Sequence, residues 1–547
     1  MGRVLLVGVG LLVVMVAAVI LVGLWGSHGH LPALIRGQFA PGPPLEDRDV
    51  SAYPPPGAPA ISVKVSVDTS TVVRTVDERY LSFAIDTSAV VGGRWWDPKA
   101  EGSEFGSGTV KAPVFDFDRS RLDALTRALA PAFLRIGGSE ADKVFYDMAE
   151  QEADVSRYDS VLTRHQWDAV CRFAKRNGLD LVMTLNAGPS ARDAQGRWRS
   201  TNAEALLEYS RAHRCEVAHW ELGNELNLFW YVHGLSEQVA VDQYVRDLVQ
   251  LRRLVERTFP ESLVSGQSAA FWPILGEPLG FFFGFQTPYA QRGGAHTDTF
   301  GWHYYPQQSR RGPIASRRAA PGRLLHPENL DEAAYWARRN AALRDEYCPG
   351  CPLWLGETGH AQFGGEPGLS DRYLASLWWL DQLGLLAVHA HDVVVRQTLS
   401  GSNYQLITED TLKPLPDYWA SLLWKRLMGR EVLAARVQGS DRVRVYAHRA
   451  PNGIDVTLLV INLHPRRPVK VQGAQFGRDA RLYEVTSADL FGTEVRLNGE
   501  PLVMRDDTTL PRLRAAPVPT ELVVHPLSYT FVVQRPEAPL ARPKRGR

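Results

Sequence analysis

Apolar and polar residues alternate along residues 61–67 (Ile-Ser-Val-Lys-Val-Ser-Val), a pattern typical of a half-buried strand. From residue 81 to residue 430 the pattern changes to short apolar runs separated by stretches with helical periodicity. The apolar runs lie at residues 132–136, 179–185, 219–222, 299–302 and 352–355, and the helical stretches at residues 121–130, 167–177 and 243–256. Strands that alternate with helices over roughly 350 residues predict parallel βα units, and this length suits a (β/α)8 barrel.

The pattern changes again at residue 431. Strand-like runs follow at residues 442–448, 455–462, 495–497, 502–504 and 530–533, and turn signals such as Pro451-Asn-Gly453 and Asn498-Gly499 separate them. Residues 431–535 therefore predict an all-β sandwich domain, and the early strand within residues 61–80 is expected to join its sheet. The predicted fold class is α/β, a (β/α)8 TIM barrel with a second all-β sandwich domain. Residues 536–547 are expected to form a disordered basic tail.

The amino-terminal stretch has no charge from residue 4 to residue 25, and Arg3 precedes it. This length spans a bilayer as a helix. No clear small-residue cleavage site follows, which favours a signal anchor (residues 1–30) over a cleaved signal peptide. Residues 31–60 predict a Pro-rich linker. Both interpretations place the bulk of the protein outside the cytoplasm, either anchored to the membrane through this transmembrane helix or secreted after cleavage.

Charge and cysteine content exclude some classes of protein. The formal net charge is +1, whereas a nucleic-acid-binding protein normally carries a marked basic excess. Cys348-Pro-Gly-Cys351 has CxxC spacing, but no second CxxC or HxxxH supplies further zinc ligands. A local disulfide or two free thiols are therefore favoured there. Cys171 and Cys215 complete no disulfide framework, and neither a metal nor a cofactor is predicted.

Two glutamates follow apolar strands through Gly-containing turns, in Trp220-Glu-Leu-Gly-Asn-Glu225 and Trp354-Leu-Gly-Glu-Thr358. They are 132 residues apart (357 − 225), about three βα units, which predicts the fourth and seventh strands of the barrel. One glutamate alone is better explained as a helix cap or an ion-pair partner. A pair at this spacing predicts a retaining glycosidase, in which Glu225 is the acid/base and Glu357 the nucleophile. Asn224 is placed to donate to the sugar 2-hydroxyl.

These motifs resemble those of the heparanases, β-glucuronidases of glycoside hydrolase family 79. Further matching segments extend the resemblance over residues 61–534: Ser370-Asp371, Trp379-Leu-Asp-Gln-Leu-Gly-Leu385, Val395-Arg-Gln397, Asn403-Tyr404, Pro414-Leu-Pro-Asp-Tyr-Trp419, Leu497-Asn-Gly499 and Asp506-Asp507. The resemblance implies a retaining β-glucuronidase acting on a glucuronic-acid-containing carbohydrate.

The resemblance also implies residues that bind the sugar. Asp86, Gly138, Ser139 and Gln397 match contact positions. The backbone N–H groups of Gly364 and Gly365, together with Tyr404, match the site of the glucuronate carboxylate. Tyr304 and Tyr305 follow Trp302-His303 and are expected to orient Glu357.

Three departures from the heparanase pattern weaken the heparan-sulfate interpretation. Only residues 147–158 stand where mammalian-type heparanases carry an excised segment, so we expect a single chain without such processing. Residues 268–273 (Ser-Ala-Ala-Phe-Trp-Pro) contain no basic residue, and Glu140 replaces a basic one. Residues 91–114 form an insertion with Trp95, Trp96 and five glycines, which is expected to wall off one end of the cleft.

These departures favour exo-cleavage of a terminal glucuronate over endo-cleavage of a glycosaminoglycan-type chain, and both stay open. The alternative from another class is a catalytically silent, membrane-tethered polysaccharide-binding protein. An intact glutamate pair disfavours it, because a binding protein has no need of both.

Overall fold

The computed structural model describes residues 58–97, 109–148, 155–266, 268–272, 277, 284–312, 317–473, 476–477 and 479–536. The predicted anchor, most of the predicted linker and most of the predicted tail lie outside these ranges. Within the described ranges, no helix is long and apolar enough to cross a membrane.

The strands, in chain order, are β1 (Ile61–Thr75), β2 (Leu81–Asp86), β3 (Arg94–Trp96), β4 (Thr109–Lys111), β5 (Ala132–Gly137), β6 (Val144–Asp147), β7 (Ser160–Thr163), β8 (Leu179–Leu185), β9 (Val217–Leu222), β10 (Leu263–Ser265), β11 (Ala269–Phe271), β12 (Phe300–Tyr304), β13 (Gln307–Gln308), β14 (Leu353–Thr358), β15 (Ala361–Gln362), β16 (Val393–Arg396), β17 (Glu431–Gln438), β18 (Val443–Arg449), β19 (Val456–Asn462), β20 (Val469–Gln472), β21 (Arg481–Thr486), β22 (Arg496–Leu497), β23 (Glu500–Pro501), β24 (Ala516–Pro517), β25 (Val523–Val524) and β26 (Ser528–Gln534).

The α-helices are α1 (Thr87–Val91), α2 (Ser120–Leu129), α3 (Arg164–Asn177), α4 (Thr201–Ala212), α5 (Phe229–Val232), α6 (Val241–Thr258), α7 (Gln286–Gly293), α8 (Pro321–Leu324), α9 (Pro327–Tyr347), α10 (Tyr373–Val388) and α11 (Pro416–Leu427). Short 3-10 turns lie at Ser139–Lys143, Pro189–Ala191, Leu226–Leu228, Leu235–Glu237 and Gly294–His296.

Nine parallel strand segments form the barrel, in the order β10-β9-β8-β5-β2-β16-β14-β12-β11. β10 pairs with β9 and β11 pairs with β12, while a bridge from Ser265 to Thr299 joins the two ends of the order. β10 and β11 therefore act together as the fifth strand of eight. This topology confirms the predicted (β/α)8 barrel.

The barrel interior holds an apolar layer below a polar one. Phe133 and Trp354 lie inside the barrel with ring centroids 4.6 Å apart, beside Ala84, Val182 and Val393. Because side chains alternate along a strand, Arg135 shares the inward face of β5 with Phe133. The charged layer therefore lies toward the carboxyl ends of the strands, where barrel enzymes place their active sites.

The carboxy-terminal strands and β1 form a separate all-β region, an eleven-stranded sheet in which β1 runs antiparallel to β17. Side chains such as Val63, Val445, Val471 and Val532 form its own buried core. Another part of the region packs on α10, where the Tyr446 hydroxyl donates to Asp381 at 2.6 Å. The fold class predicted from the sequence, a TIM barrel with a second all-β region, is confirmed.

Two disulfides fasten the helical layer of the barrel. Cys171–Cys215 joins α3 to the segment before β9, and Cys348–Cys351 closes the turn after α9. Of the alternatives for the CxxC pair, the structure contains the local disulfide. The Cys171–Cys215 pairing was not predicted from the sequence.

Candidate active site

Glu225 and Glu357 meet at the carboxyl end of the barrel, on the fourth and seventh strands. The chain leaves β9 through Gly223 (φ 73°), where a Cβ atom would lie only 2.8 Å from the Ala187 side chain, and reaches Glu225 at φ 51°. Glu357 lies within β14. One carboxylate oxygen of each glutamate and a ring nitrogen of His303 all lie within 4.8 Å of one another.

Both oxygens of Glu357 accept hydrogen bonds. The Arg135 Nη1 donates to Oε2 at 2.8 Å, and the Tyr305 hydroxyl donates to Oε1 at 2.7 Å. Arg135 also donates from Nε to Glu221 at 3.0 Å and from Nη2 to the Asn224 Oδ1 at 2.9 Å. The buried ion pair with Arg135 and the Tyr305 hydroxyl fix the orientation of the Glu357 carboxylate.

Glu225 has a different environment. Its side chain is buried, and its Oε1 lies 3.0 Å from the His303 Nδ1. Burial raises the pKa of Glu225 well above its usual value, the negative charge of Glu357 raises it further, and Arg135 opposes the shift. Burial, aided by Arg135, lowers the pKa of His303 well below its usual value, so this imidazole is neutral and adds no positive charge beside Glu225.

A metal ion is a poor fit for this cluster, although Glu225, His303 and Glu357 each offer one ligand atom. Both Glu357 oxygens already accept from Arg135 and Tyr305. The Arg135 guanidinium, 2.8 Å from Glu357, would also repel a divalent cation bound there. The pair is better explained as two carboxylates in unlike surroundings, one desolvated and one ion-paired with Arg135, which suits acid and nucleophile roles.

Two of the predicted sugar contacts, Gly138 and Gln397, lie against Asp86, which is itself a third. Its Oδ1 accepts from the Ser88 backbone N–H at 2.9 Å, and its Oδ2 accepts from the Gln397 Nε2 at 3.1 Å. Gly138 has φ 97°, and a Cβ atom there would lie 2.0 Å from the Asp86 Oδ2. Burial raises the pKa of Asp86 to about 7, with Glu357 adding to the effect. Ser139, one residue on, is exposed.

The Gly364–Gly365 turn and Tyr404 lie together. The Asn403 backbone N–H donates to the Gly364 carbonyl at 2.8 Å, and a Cβ atom on Gly365 would lie 2.9 Å from the Tyr404 nitrogen. Both glycines have left-handed φ values, 79° and 80°. The Tyr404 ring lies 6.4 Å from that of Tyr305, which links the turn to the glutamate pair.

The described part of the insertion covers this turn. β3 and β4 pair as an antiparallel hairpin, and the Trp95 ring lies 6.3 Å from the Tyr404 ring. The Trp96 Cβ atom would be 2.3 Å from a Cβ atom on Gly364. Residues 98–108 of the insertion lie outside the described residues.

Tyr304 is a correction to the expected site. Tyr305 contacts Glu357, but the Tyr304 ring is buried in the main apolar core, 5.6 Å from the Trp302 ring. Its hydroxyl is buried without a hydrogen-bond partner, near Glu332 and Arg317. Adjacent strand residues face opposite sides, so Tyr304 points to the helical layer and does not orient Glu357.

Sequence reasoning missed the polar groups that hold the pair. Arg135 stands inside the apolar run of β5, where a charged residue was itself a signal of an internal ion pair. The same holds for Glu221, which accepts from the Thr184 hydroxyl at 2.7 Å. His303 precedes the two tyrosines and gave no signal of its own. Trp272 joins an aromatic group with Tyr231 and Phe363 beside the site.

A TIM barrel with two buried glutamates at the ends of its fourth and seventh strands is typical of glycoside hydrolases. The profile of glycosyl hydrolase family 79, N-terminal domain, matches residues 62–384. The chain belongs to this family and is a heparanase-like glycoside hydrolase.

Two proteins named heparanase are similar to this chain in sequence, and one solved structure shares its fold. Heparanase of Mus musculus is 32% identical over 94% of this chain and 98% of its own length. Inactive heparanase-2 of Mus musculus is 29% identical over 86% of this chain and 88% of its own length. The structure of an α-L-arabinofuranosidase from Thermotoga maritima, in complex with arabinose, superposes with a TM-score of 0.59 at 16% identity, over 86% of this chain and all of that chain.

Proposed function

We propose that this glycoside hydrolase cleaves β-glucuronides with retention of configuration, with Glu225 as acid/base and Glu357 as nucleophile. The observation that carries the proposal is the pair of carboxylates within 4.8 Å at their nearest oxygens, one desolvated and one held by Arg135 and Tyr305. Retaining enzymes hold these groups about 5–5.5 Å apart, whereas inverting enzymes leave about 6.5–9.5 Å for a water molecule.

Two displacement steps follow from this arrangement. Glu357 attacks the anomeric carbon while Glu225 protonates the departing glycosidic oxygen, which leaves a glycosyl ester on Glu357. Glu225, now ionised, takes a proton from water, and this water attacks the anomeric carbon and releases Glu357. Arg135 and Tyr305 hold the Glu357 carboxylate in position for this attack. Because the Asn224 Oδ1 accepts from Arg135, its Nδ2 is the end available to a sugar hydroxyl.

We further infer that the sugar is a glucuronate. Left-handed glycines present consecutive backbone N–H groups, which bind an anion without a side-chain cation. In this proposal Gly364, Gly365 and Tyr404 hold the carboxylate, while Asp86, Gly138, Ser139 and Gln397 contact the rest of the sugar. The substrate is then a glucuronic-acid-containing carbohydrate.

The hairpin β3–β4 supports exo-cleavage, because Trp95 and Trp96 pack on Tyr404 and the Gly364 turn, at one end of the proposed sugar pocket. We expect glucuronic acid to be the released product both from an aryl β-glucuronide and from heparan sulfate or its desulfated form. Chromatography of the products checks this. Oligosaccharides without free glucuronic acid would indicate endo-cleavage instead. If none of these substrates gave any product, the β-glucuronidase proposal would be contradicted.

The location outside the cytoplasm also remains a proposal. Two disulfides support it, because such bonds persist in oxidising compartments. Anchoring through residues 1–30 requires its own test, which is surface labelling with and without protease.

The pH dependence of kcat/KM should report the proton on Glu225. Since the raised pKa keeps Glu225 protonated at low pH, activity is expected below that pKa and lost as pH rises through it. The wild-type limb should appear with a poor leaving group, which needs the proton. Glu225→Gln should still react with an activated aryl glucuronide, whose leaving group needs no proton, and its first step should show no alkaline limb. Burst kinetics across pH measures that step. An unchanged limb in the variant would assign it elsewhere, for example to Asp86 with its pKa of about 7.

A further inference from the structure

A buried arginine without a carboxylate partner lies behind the Gly364–Gly365 turn. The Arg311 side chain is fully buried. Its Nη1 donates to the Asp97 carbonyl at 3.1 Å, its Nη2 donates to the Asn403 Oδ1, and its Nε has no hydrogen-bond partner. Among the described residues, no carboxylate oxygen lies within 4.0 Å of its nitrogens. Both acceptors of this cation are therefore neutral oxygens.

The carboxylates around Arg311 belong to other arginines. Glu366 is paired with Arg310 at 2.9 Å, and Asp371 with Arg372 at 3.0 Å. Together with Asp97, these acids act on Arg311 only from beyond ion-pair distance. A buried guanidinium stays protonated and is costly without an anion. Among the described residues, Arg311 therefore has no carboxylate of its own at ion-pair distance.

The contacts of Arg311 lead to the proposed carboxylate site. Asn403, which accepts from Arg311, donates its backbone N–H to Gly364 and precedes Tyr404 in the chain. The Arg311 Cζ atom also lies 6.0 Å from the Trp96 ring, which packs on Gly364. Arg311 therefore contacts two residues that pack on the Gly364–Gly365 turn, Asn403 and Trp96.

We propose that Arg311 is the positioning residue that makes the sugar pocket select an anionic sugar over a neutral one. Its charge supplies the positive potential at the Gly364–Gly365 turn, and its bond to Asn403 holds the turn in place. The carboxylate of a bound uronate then provides the missing negative charge. This inference rests on the proposed β-glucuronidase function and deepens it.

The test compares kcat/KM for a 4-nitrophenyl β-glucuronide and for the matching β-glucoside. In Arg311→Gln we expect the glucuronide value to fall about ten- to a hundredfold, as loss of one charge-assisted interaction does, and the glucoside value to stay within about threefold. Arg310→Gln is the matched control: it removes the same charge one residue away, from a partly exposed arginine already paired with Glu366, and should leave the ratio unchanged.

The outcomes separate this inference from the proposed function. A wild-type enzyme that does not cleave the glucuronide contradicts the function. A wild-type preference that Arg311→Gln leaves intact, or an equal fall on both substrates, overturns the role of Arg311 alone. If Arg311→Gln is too unstable to assay, Arg311→Lys decides: a ratio within about threefold of wild type supports a charge role, and a collapsed ratio with the charge retained overturns it.

Discussion

Glu357→Gln is expected to lower kcat/KM for an aryl β-glucuronide about 10⁴-fold or more, the scale seen when hydrolases lose a covalent nucleophile. The amide has nearly the same shape and still accepts from Tyr305, but it does not form the glycosyl ester. The measurement is a long-incubation assay together with the melting temperature. Glu332→Gln is a matched control, because Glu332 is another buried glutamate with an arginine partner, Arg317, away from the site. The control should keep activity within a fewfold.

The anomer formed in the presence of azide distinguishes the acid/base from the nucleophile. In Glu225→Ala with an activated substrate, azide should attack the glycosyl-enzyme and give a β-glucuronyl azide. In Glu357→Ala it should displace the leaving group directly and give the α-anomer. Reversed anomers would exchange the roles, and turnover of Glu357→Gln equal to wild type would remove the catalytic assignment altogether.

The glutamates were accessible to sequence reasoning because each sits in a local pattern, an apolar strand that ends in a Gly-containing turn. Strand ends converge at one face of a barrel. Two residues that act together can therefore each be recognised from a short local motif. Arg135 is different: it is 222 residues from Glu357 in the chain, and their contact depends on the closure and register of the barrel. No local pattern carries that information.

Tyr304 and Tyr305 show what the alternation of side chains along a strand cannot predict. Alternation predicts that only one of two adjacent residues faces the site, but not which one. The pairing of β12 with β14 shifts register between Trp302 and His303, so that His303 pairs with Glu357. This irregularity lies between strands about 50 residues apart in the chain, so it leaves no local pattern in the sequence. The orientation of side chains at the ends of such strands could therefore be determined only from the structure.

The ion cluster under the pair predicts the second large effect. Arg135→Met should destabilise the protein by about 3–5 kcal/mol, because it leaves Glu221 and Glu357 buried without their shared cation. Activity should also fall, because Glu357 loses the hydrogen bond from Arg135 that fixes its orientation. The melting temperature and kcat, measured on the folded fraction, check the two effects separately.

Two further variants distinguish this explanation from a general loss of packing. Arg317→Met breaks another buried pair, with Glu332, so it should lower the melting temperature but leave kcat nearly unchanged. Arg135→Met combined with Glu221→Gln removes one uncompensated charge, and should regain stability without regaining activity. If the double variant were no more stable than Arg135→Met, the cost would lie in lost packing rather than in buried charge. If Arg135→Met kept wild-type kcat, Arg135 would not be what positions Glu357 for catalysis.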